Sequence, residues 1–314
     1  MITHAYDIEI LHRTAGPGSE DCQGWCFGLP PGIDPKQWPL DPISGYPLMH
    51  GFTVRLPEDY RCHGPDIVAL SFFATAADQN DGGASVRQPL YDAVIGAGGV
   101  PADPDLVQFY TAAQSAHPRL HRMKDILGYE YAVILLTAQE FAGPFCLPPQ
   151  QSASIFLRAK DRPGWLDSGA RSFFKFSAVP ETFAEQDSHY FKPLFGSTPD
   201  GTLVWNREIR LASRTRDPNA GKAPMEDFGD GTSSGYVSHF YWADGIVKAE
   251  NYRLHDWAED HNPNHIGGTM RPVQAVPEFS PYYIGIEEYF GGYNFGGGNA
   301  QLDFRDMKFD WACG

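Results

Sequence analysis

"DIVALSFFATA", Asp66 to Ala76, and "YAVILLTA", Tyr131 to Ala138, are the stretches that decide the fold class. Each is a short, nearly continuous apolar run rich in β-branched and aromatic side chains. Runs of that length and make-up read as strands buried on both faces. Between them lies the best helix. Asp103 can cap it, Pro104 suits its first position, and Leu106, Phe109, Tyr110 and Ala113 follow a helical stripe. Pro118 ends or kinks it. A weaker helix covers Ala84 to Ile95, with Pro89 against it.

Upstream, "GLPPGIDPKQWPLDPISGYPLMHGFTVRLPEDY" is crowded with prolines from Pro30 to Pro57. Proline fixes the backbone and removes donors, so this region reads as loop with edge strands at most. Within it, Leu48 to Pro57 alternates Phe52, Val54 and Leu56 with polar neighbours, the pattern of a half-buried strand. After Pro148 strands dominate: "SASIFLRA", "SFFKFSA", "LVWNREIRLAS", "GYVSHFYW", "YYIGIEEYF" and "AQLDFRDMKFDW", each bounded by turn residues. In the last, Leu302 and Phe304 share one face whereas Met307, Phe309 and Trp311 share the other. A bulge or tight bend is therefore expected near Arg305–Asp306. The sum is a β-rich α+β protein, mostly antiparallel sheets with a few helices. It reads as a single domain over 1–314, with two intimate lobes, about 1–150 and 151–314, as the subdivision to test.

The formal net charge of −15 over 314 residues is a strong acidic balance. It disfavours nucleic acid and anionic membrane and suits a basic protein partner, although net charge speaks first for solubility. Cys22, Cys26, Cys62, Cys146 and Cys313 are odd in number and irregular in spacing, so no disulfide framework is expected. The N-terminus "MITHAYDIEILHR" shows no signal-peptide pattern, and no apolar run reaches the ~18 residues of a membrane span. The expectation is a cytoplasmic protein.

One stretch concentrates chemistry. "HDWAEDHNPNHIGGTMRPVQ" places His255, Asp256, Asp260, His261 and His265 within a few residues. Zinc or another divalent ion needs three or four converging ligands. His261 and His265 have i,i+4 spacing, yet Pro263 between them disfavours a helix. The favoured reading is a polar loop whose side chains bond its own backbone, with metal as the alternative. Other signals are weaker. "HPRLH" (His117 to His121) reads as helix-end histidines, "CQGWC" (Cys22 to Cys26) as small hydrophobes beside Trp25, and "EDFGDGTSSG" (Glu226 to Gly235) as an acidic turn. Glu287 and Glu288 are adjacent in a strand and point to opposite faces, so they form no carboxylate pair. Arg210, Arg214 and Arg216 read as a solvated strand face. There is no nucleophile elbow, dinucleotide fingerprint or P-loop.

Two separated stretches resemble the YwqG-like family of bacterial domains of unknown function. In the first, Trp38, Pro39, Gly45, Pro47 and Leu48 match a Trp-Pro … Gly-x-Pro-Leu pattern leading into a strand. In the second, His265, Gly267, Gly268, Pro272 and Gln274 match a His-x-Gly-Gly … Pro … Gln element, followed by the strand "YYIGIEEYF". The turn from Asn294 to Asn299 lacks the aspartate of the family pattern. The resemblance implies a β-rich α+β fold with the two signature loops close in space, and no agreed catalytic residues. It also implies an immunity or partner-binding role, because such relatives lie in gene neighbourhoods that encode toxins. The expectation is thus a non-enzymatic binding protein, an immunity protein or antitoxin that neutralises a toxin without a cofactor. The alternative is a metal-dependent hydrolase that uses His255, Asp260, His261 and His265. A further option is a carbohydrate or peptide cleft formed by Trp242, Trp257, Tyr282, Tyr283 and Tyr289.

Overall fold

The two apolar runs become neighbouring strands at the centre of one large sheet. The computed structural model describes residues 2–11, 13–15, 21–168, 206–214, 216–225 and 235–314. In chain order the strands are β1 (Ala5–Ile10), β2 (Gly24–Cys26), β3 (Met49–Arg55), β4 (Ile67–Ala74), β5 (Leu120–Lys124), β6 (Glu130–Thr137) and β7 (Arg207–Arg214). They continue with β8 (Phe240–Trp242), β9 (Tyr252–Leu254), β10 (His265–Ile266), β11 (Tyr283–Glu287), β12 (Asn299–Asp303) and β13 (Lys308–Ala312). The described α-helices are α1 (Gln88–Ile95), α2 (Pro104–Gln114), α3 (Ala138–Phe141) and α4 (Trp165–Ser168).

Eleven strands form one sheet in the order β13-β12-β11-β10-β1-β7-β2-β3-β4-β6-β5, and β8 and β9 form a separate two-stranded arm. The pairings between neighbouring strands of the large sheet are antiparallel. The sheet curls until its ends meet. Tyr131 of β6 stacks on Phe309 of β13 with ring centroids 3.9 Å apart. Trp311 Nε1 donates to Asp125 Oδ2 at 2.8 Å. The result is nearly a barrel, which removes most of the exposed sheet edge. Aromatic rings fill the inside: Phe72 packs on Phe52, Tyr131, Tyr293 and Phe309. Each fully buried side chain of this kind contributes roughly 1.5–3 kcal/mol. Residue 150 falls in an irregular connection, and strands from both sides of it share the sheet.

α2 starts as the sequence indicates: the Asp103 side chain accepts from Asp105 N, Pro104 fills the first turn, and the helix stops before Pro118. α1 is shorter than Ala84 to Ile95. It begins beside Pro89, whose missing N–H costs nothing in a first turn, and ends at Gly96 with φ +74°. β12 and β13 are two strands, not one. Met307, with φ 52°, lies in the hairpin turn at Arg305–Asp306. The Asp303 carboxylate accepts the N–H groups of Arg305 and Asp306 and so fixes that reversal.

Four expectations need correction. β3 is not half-buried or at an edge: it runs between β2 and β4 and is covered on both faces, so its polar residues are buried too. "SASIFLRA" forms no strand. Ser154 Oγ bonds Asp105 O and Phe156 N, which turns the chain so that Phe156 and Leu157 pack beside α1 and α2. Arg214 does not share a solvated face with Arg210. Its end of β7 is roofed by residues 217–219 and 262–269, whereas Arg210 is exposed and pairs with Glu9. Arg216 lies beyond the end of the strand. "SFFKFSA", residues 203–205 and residues 226–234 lie outside the described residues. Among those described, no helix is long and apolar enough to cross a membrane.

Candidate functional site

The stretch from His255 to Gln274 is held against the middle of the sheet by a buried ion cluster. Arg214, whose side chain is 1% exposed, donates from Nε to Asp7 Oδ1 at 2.6 Å and from Nη1 to Asp217 Oδ2 at 3.3 Å. Its Nη2 donates to Asn262 O at 2.5 Å. Asp217 also accepts Asn219 N, Thr269 N and Thr269 Oγ1 at 2.8–2.9 Å. Asp7 Oδ1 accepts Asn262 N at 2.9 Å. A buried charge persists only when partnered like this, and each partner comes from a different part of the chain.

The two signature glycines have specific jobs here. A Cβ on Gly267 would stand 2.0 Å from Tyr60 Oη, and one on Gly268 would stand 2.4 Å from Asp217 Oδ2. Both residues have positive φ, +61° and +80°, so the sequence needs glycine twice over. Between them and the core lie the phenols of Tyr236 and Tyr283, which both donate to Gly268 O.

His265 sits in β10, paired with Asp7 on one side and Gly285 on the other. Its Nδ1 donates to Gly267 O at 2.9 Å, and its ring meets Tyr283 edge-on at 5.6 Å. Burial, reinforced by Arg214, holds its pKa well below the ordinary histidine value, so the ring is neutral. His261 stands 4.0 Å from Asp217 through Nδ1, which makes no hydrogen bond. Burial and then Arg214 push its pKa down to about 4. His255 stacks on Trp257 with centroids 5.3 Å apart. Asp256 and Asp260 are exposed. Gln274 Nε2 donates to Cys313 O at 3.0 Å, and Pro272 follows Arg271, whose carbonyl is held by Asn299. Among the described residues no three His, Cys, Asp or Glu side chains converge as a ligand set. His255, His261 and His265 each face different partners, and Arg214 acts on both His261 and His265.

The other signature is a loop that folds back on itself. Trp38 Nε1 donates to Leu48 O at 2.8 Å, Leu48 N donates to Pro39 O at 2.9 Å, and Leu40 bridges Pro47. Gly45, with φ +80°, rests against Phe109 of α2. Trp38 stacks on Trp165 and meets Phe73 edge-on. The two signatures thus pack against different partners, Phe73 and Trp165 for the first, Tyr60 and Asp217 for the second. Beside Trp38 lies a cavity of about 300 Å³ walled by this loop, α1, α2 and β5, with Gln37, His117 and Arg122 in its lining. Sequence reasoning missed this cavity and the Asp7–Arg214–Asp217 cluster. Only the buried-strand setting of Arg122 and Arg214 could have flagged them.

The five aromatics proposed for one cleft separate. Tyr283 is fully buried, Tyr282 and Tyr289 pack on the core, Trp257 stacks on His255, and Trp242 belongs to the β8–β9 arm. Glu288 is not a free carboxylate either: it caps the turn after β11 by accepting Phe295 N and Gly297 N. The β8–β9 arm, which leads into the His255–Gln274 stretch, exposes a group of apolar side chains. Tyr241 is 46% exposed, Ile246 51%, Val247 73% and Tyr252 39%. Exposed Asp244 and Glu250 lie in its turn and exposed Asp256, Glu259 and Asp260 follow it directly in the chain, against Lys248 and Arg253 of opposite sign. Comparison of the chain with protein-family models, with curated proteins and with solved structures gives no match.

Proposed function

We propose that this is a non-enzymatic binding protein that engages a basic protein partner, as an immunity protein does when it neutralises a toxin in the cytoplasm. The exposed apolar arm, with acidic residues in its turn and directly after it, is the observation that carries the reading. Clustered exposed apolar side chains rimmed by charge are typical of protein contact surfaces. The net charge of −15 would steer a basic partner towards that arm, and the association rate would fall steeply with salt.

The test is capture of the product of a neighbouring gene by the purified chain, followed by titration at low and high salt. Ile246→Asp with Val247→Asp should weaken that binding by about tenfold or more, the effect of losing one well-packed anchor. Absence of a partner, together with no protection of cells from the neighbouring product, would end the reading. Metal analysis covers the hydrolase alternative: stoichiometric zinc, iron or manganese in the purified chain would replace it.

A further inference from the structure

We propose that the cavity beside Trp38 binds a small carboxylate with an apolar body, anchored by the guanidinium of Arg122. This site is separate from the β8–β9 arm and does not depend on the partner reading. At about 300 Å³ the cavity lies at the lower end of small-molecule sites, too small for a long lipid chain. Trp38, Leu40, Val94, Ile95, Ala113 and Leu120 supply apolar walls.

The polar lining is one-sided. His117 Nδ1 accepts Arg119 N at 3.2 Å, so its proton is on Nε2, which donates to Glu140 at 3.1 Å. Both ring nitrogens are therefore spent, and burial keeps the ring neutral. Gln37 uses Oε1 to accept Asp34 N at 2.9 Å, which leaves its amide N–H groups to donate. The Trp38 indole N–H is committed to Leu48 O.

Arg122 carries five donors, and the bond it makes is Nη1 to Leu40 O at 3.0 Å. Glu130 and Asp41 attract Arg122 electrostatically, but the hydrogen bonds of both carboxylates go to other groups. Glu130 is held by Tyr91 Oη at 3.3 Å and Lys124 Nζ at 3.6 Å. Asp41 is held by Ser44 Oγ at 2.7 Å and Ile43 N at 3.0 Å. The cavity thus presents a cation and an amide donor among its side chains, with no acceptor left uncommitted. A carboxylate is the group that answers both, through a bidentate contact to the guanidinium, while its apolar body meets the walls.

The experiment is calorimetric titration of the full chain with octanoate and with octanamide, an uncharged analogue of the same length. Octanoate should bind saturably at one site, and octanamide at least roughly tenfold more weakly, the loss expected for a charge-assisted pair. Arg122→Met should remove that preference, and Ala113→Leu, which fills the cavity from the last turn of α2, should weaken both probes. No saturable octanoate binding at millimolar concentration, no preference for acid over amide, or an Arg122→Met chain that still prefers octanoate would overturn the proposal. Should Arg122→Met not fold, the acid–amide comparison and Ala113→Leu decide it alone.

Discussion

His50 makes stability depend on pH in a way that can be isolated. It is buried in β3, 3% exposed, with Nδ1 against Gly28 O at 3.2 Å and Nε2 against Thr53 Oγ1 at 2.9 Å. Burial pushes its pKa down from 6.5 to about 3. Above pH 6.5 the ring is neutral in both folded and unfolded chains and contributes no pH dependence. Below it, the unfolded chain takes up a proton that the folded chain refuses, so stability falls as the solution is acidified. At 1.36 kcal/mol per pH unit the full loss is about 5 kcal/mol, of which about 2 kcal/mol falls between pH 7 and pH 5. The carboxylate of Glu140, held down at about 2 mainly by its Thr137 bonds against the cost of burial, acts in the opposite sense and in another window. Its contribution is present above the ordinary glutamate value and is lost only as pH falls below it. Urea denaturation followed by tryptophan fluorescence at pH 7 and pH 5, on the natural chain and on His50→Gln, gives the comparison. The variant should lose about 2 kcal/mol less over that interval, because the other titrating groups cancel between the two chains. An identical loss in both would refute the assignment of His50 as a buried neutral ring.

Further outcomes follow from the ion cluster and the glycine turn. Arg214→Met leaves Asp7 and Asp217 buried without their cation and should cost about 3–5 kcal/mol in denaturant unfolding; a cost under about 1 kcal/mol would mean the cluster is solvated. Gly268→Ala drives a Cβ into Asp217 at positive φ and should lower the melting temperature well beyond Gly64→Ala, whose Cβ meets nothing within 4 Å. Equal effects would show that backbone strain alone matters. Trp38→Phe removes the bond to Leu48 O and should cost about 1 kcal/mol plus the lost stacking on Trp165, measurable by the same denaturation.

What could be read directly was local. β4 and β6 follow from apolar runs, α2 from Asp103 and Pro104, and the β12–β13 reversal from the switch of face between Phe304 and Met307. What could not be read depended on partners far along the chain. β3 looked half-exposed because His50 and Thr53 are polar, but they satisfy each other, and Thr53 also bonds Ser71 at 2.7 Å on β4. Arg214 looked solvated because nothing near it in sequence announces Asp7. The motif at His265–Gly268 was visible as a pattern, yet its cause, the close approach of Tyr60 and Asp217, exists only in three dimensions. The histidines looked like ligands by type, whereas burial and the neighbouring Arg214 hold His261 and His265 below the ordinary histidine value, a setting no local pattern announces.

The placement of β1 has a consequence for how the molecule is made. Its residues pair with β7, Tyr6 against Ser213 and Ile8 against Leu211, and with β10, Tyr6 against Ile266. A ribosome adding about 5–20 residues per second takes roughly 10–40 s to deliver β7 after β1. Throughout that interval β1 is a strand with both edges open, its Ala5 and Ile8 uncovered and Asp7 and Glu9 without their arginines. Both its neighbours arrive late, and the sheet can close only when β10 to β13 have emerged. Pairing over such separations is slow to nucleate, and an open strand is a template for association. Newly made chains should therefore need shielding of this segment by a chaperone, and truncation before β7 should yield aggregates even though β2 to β6 are complete.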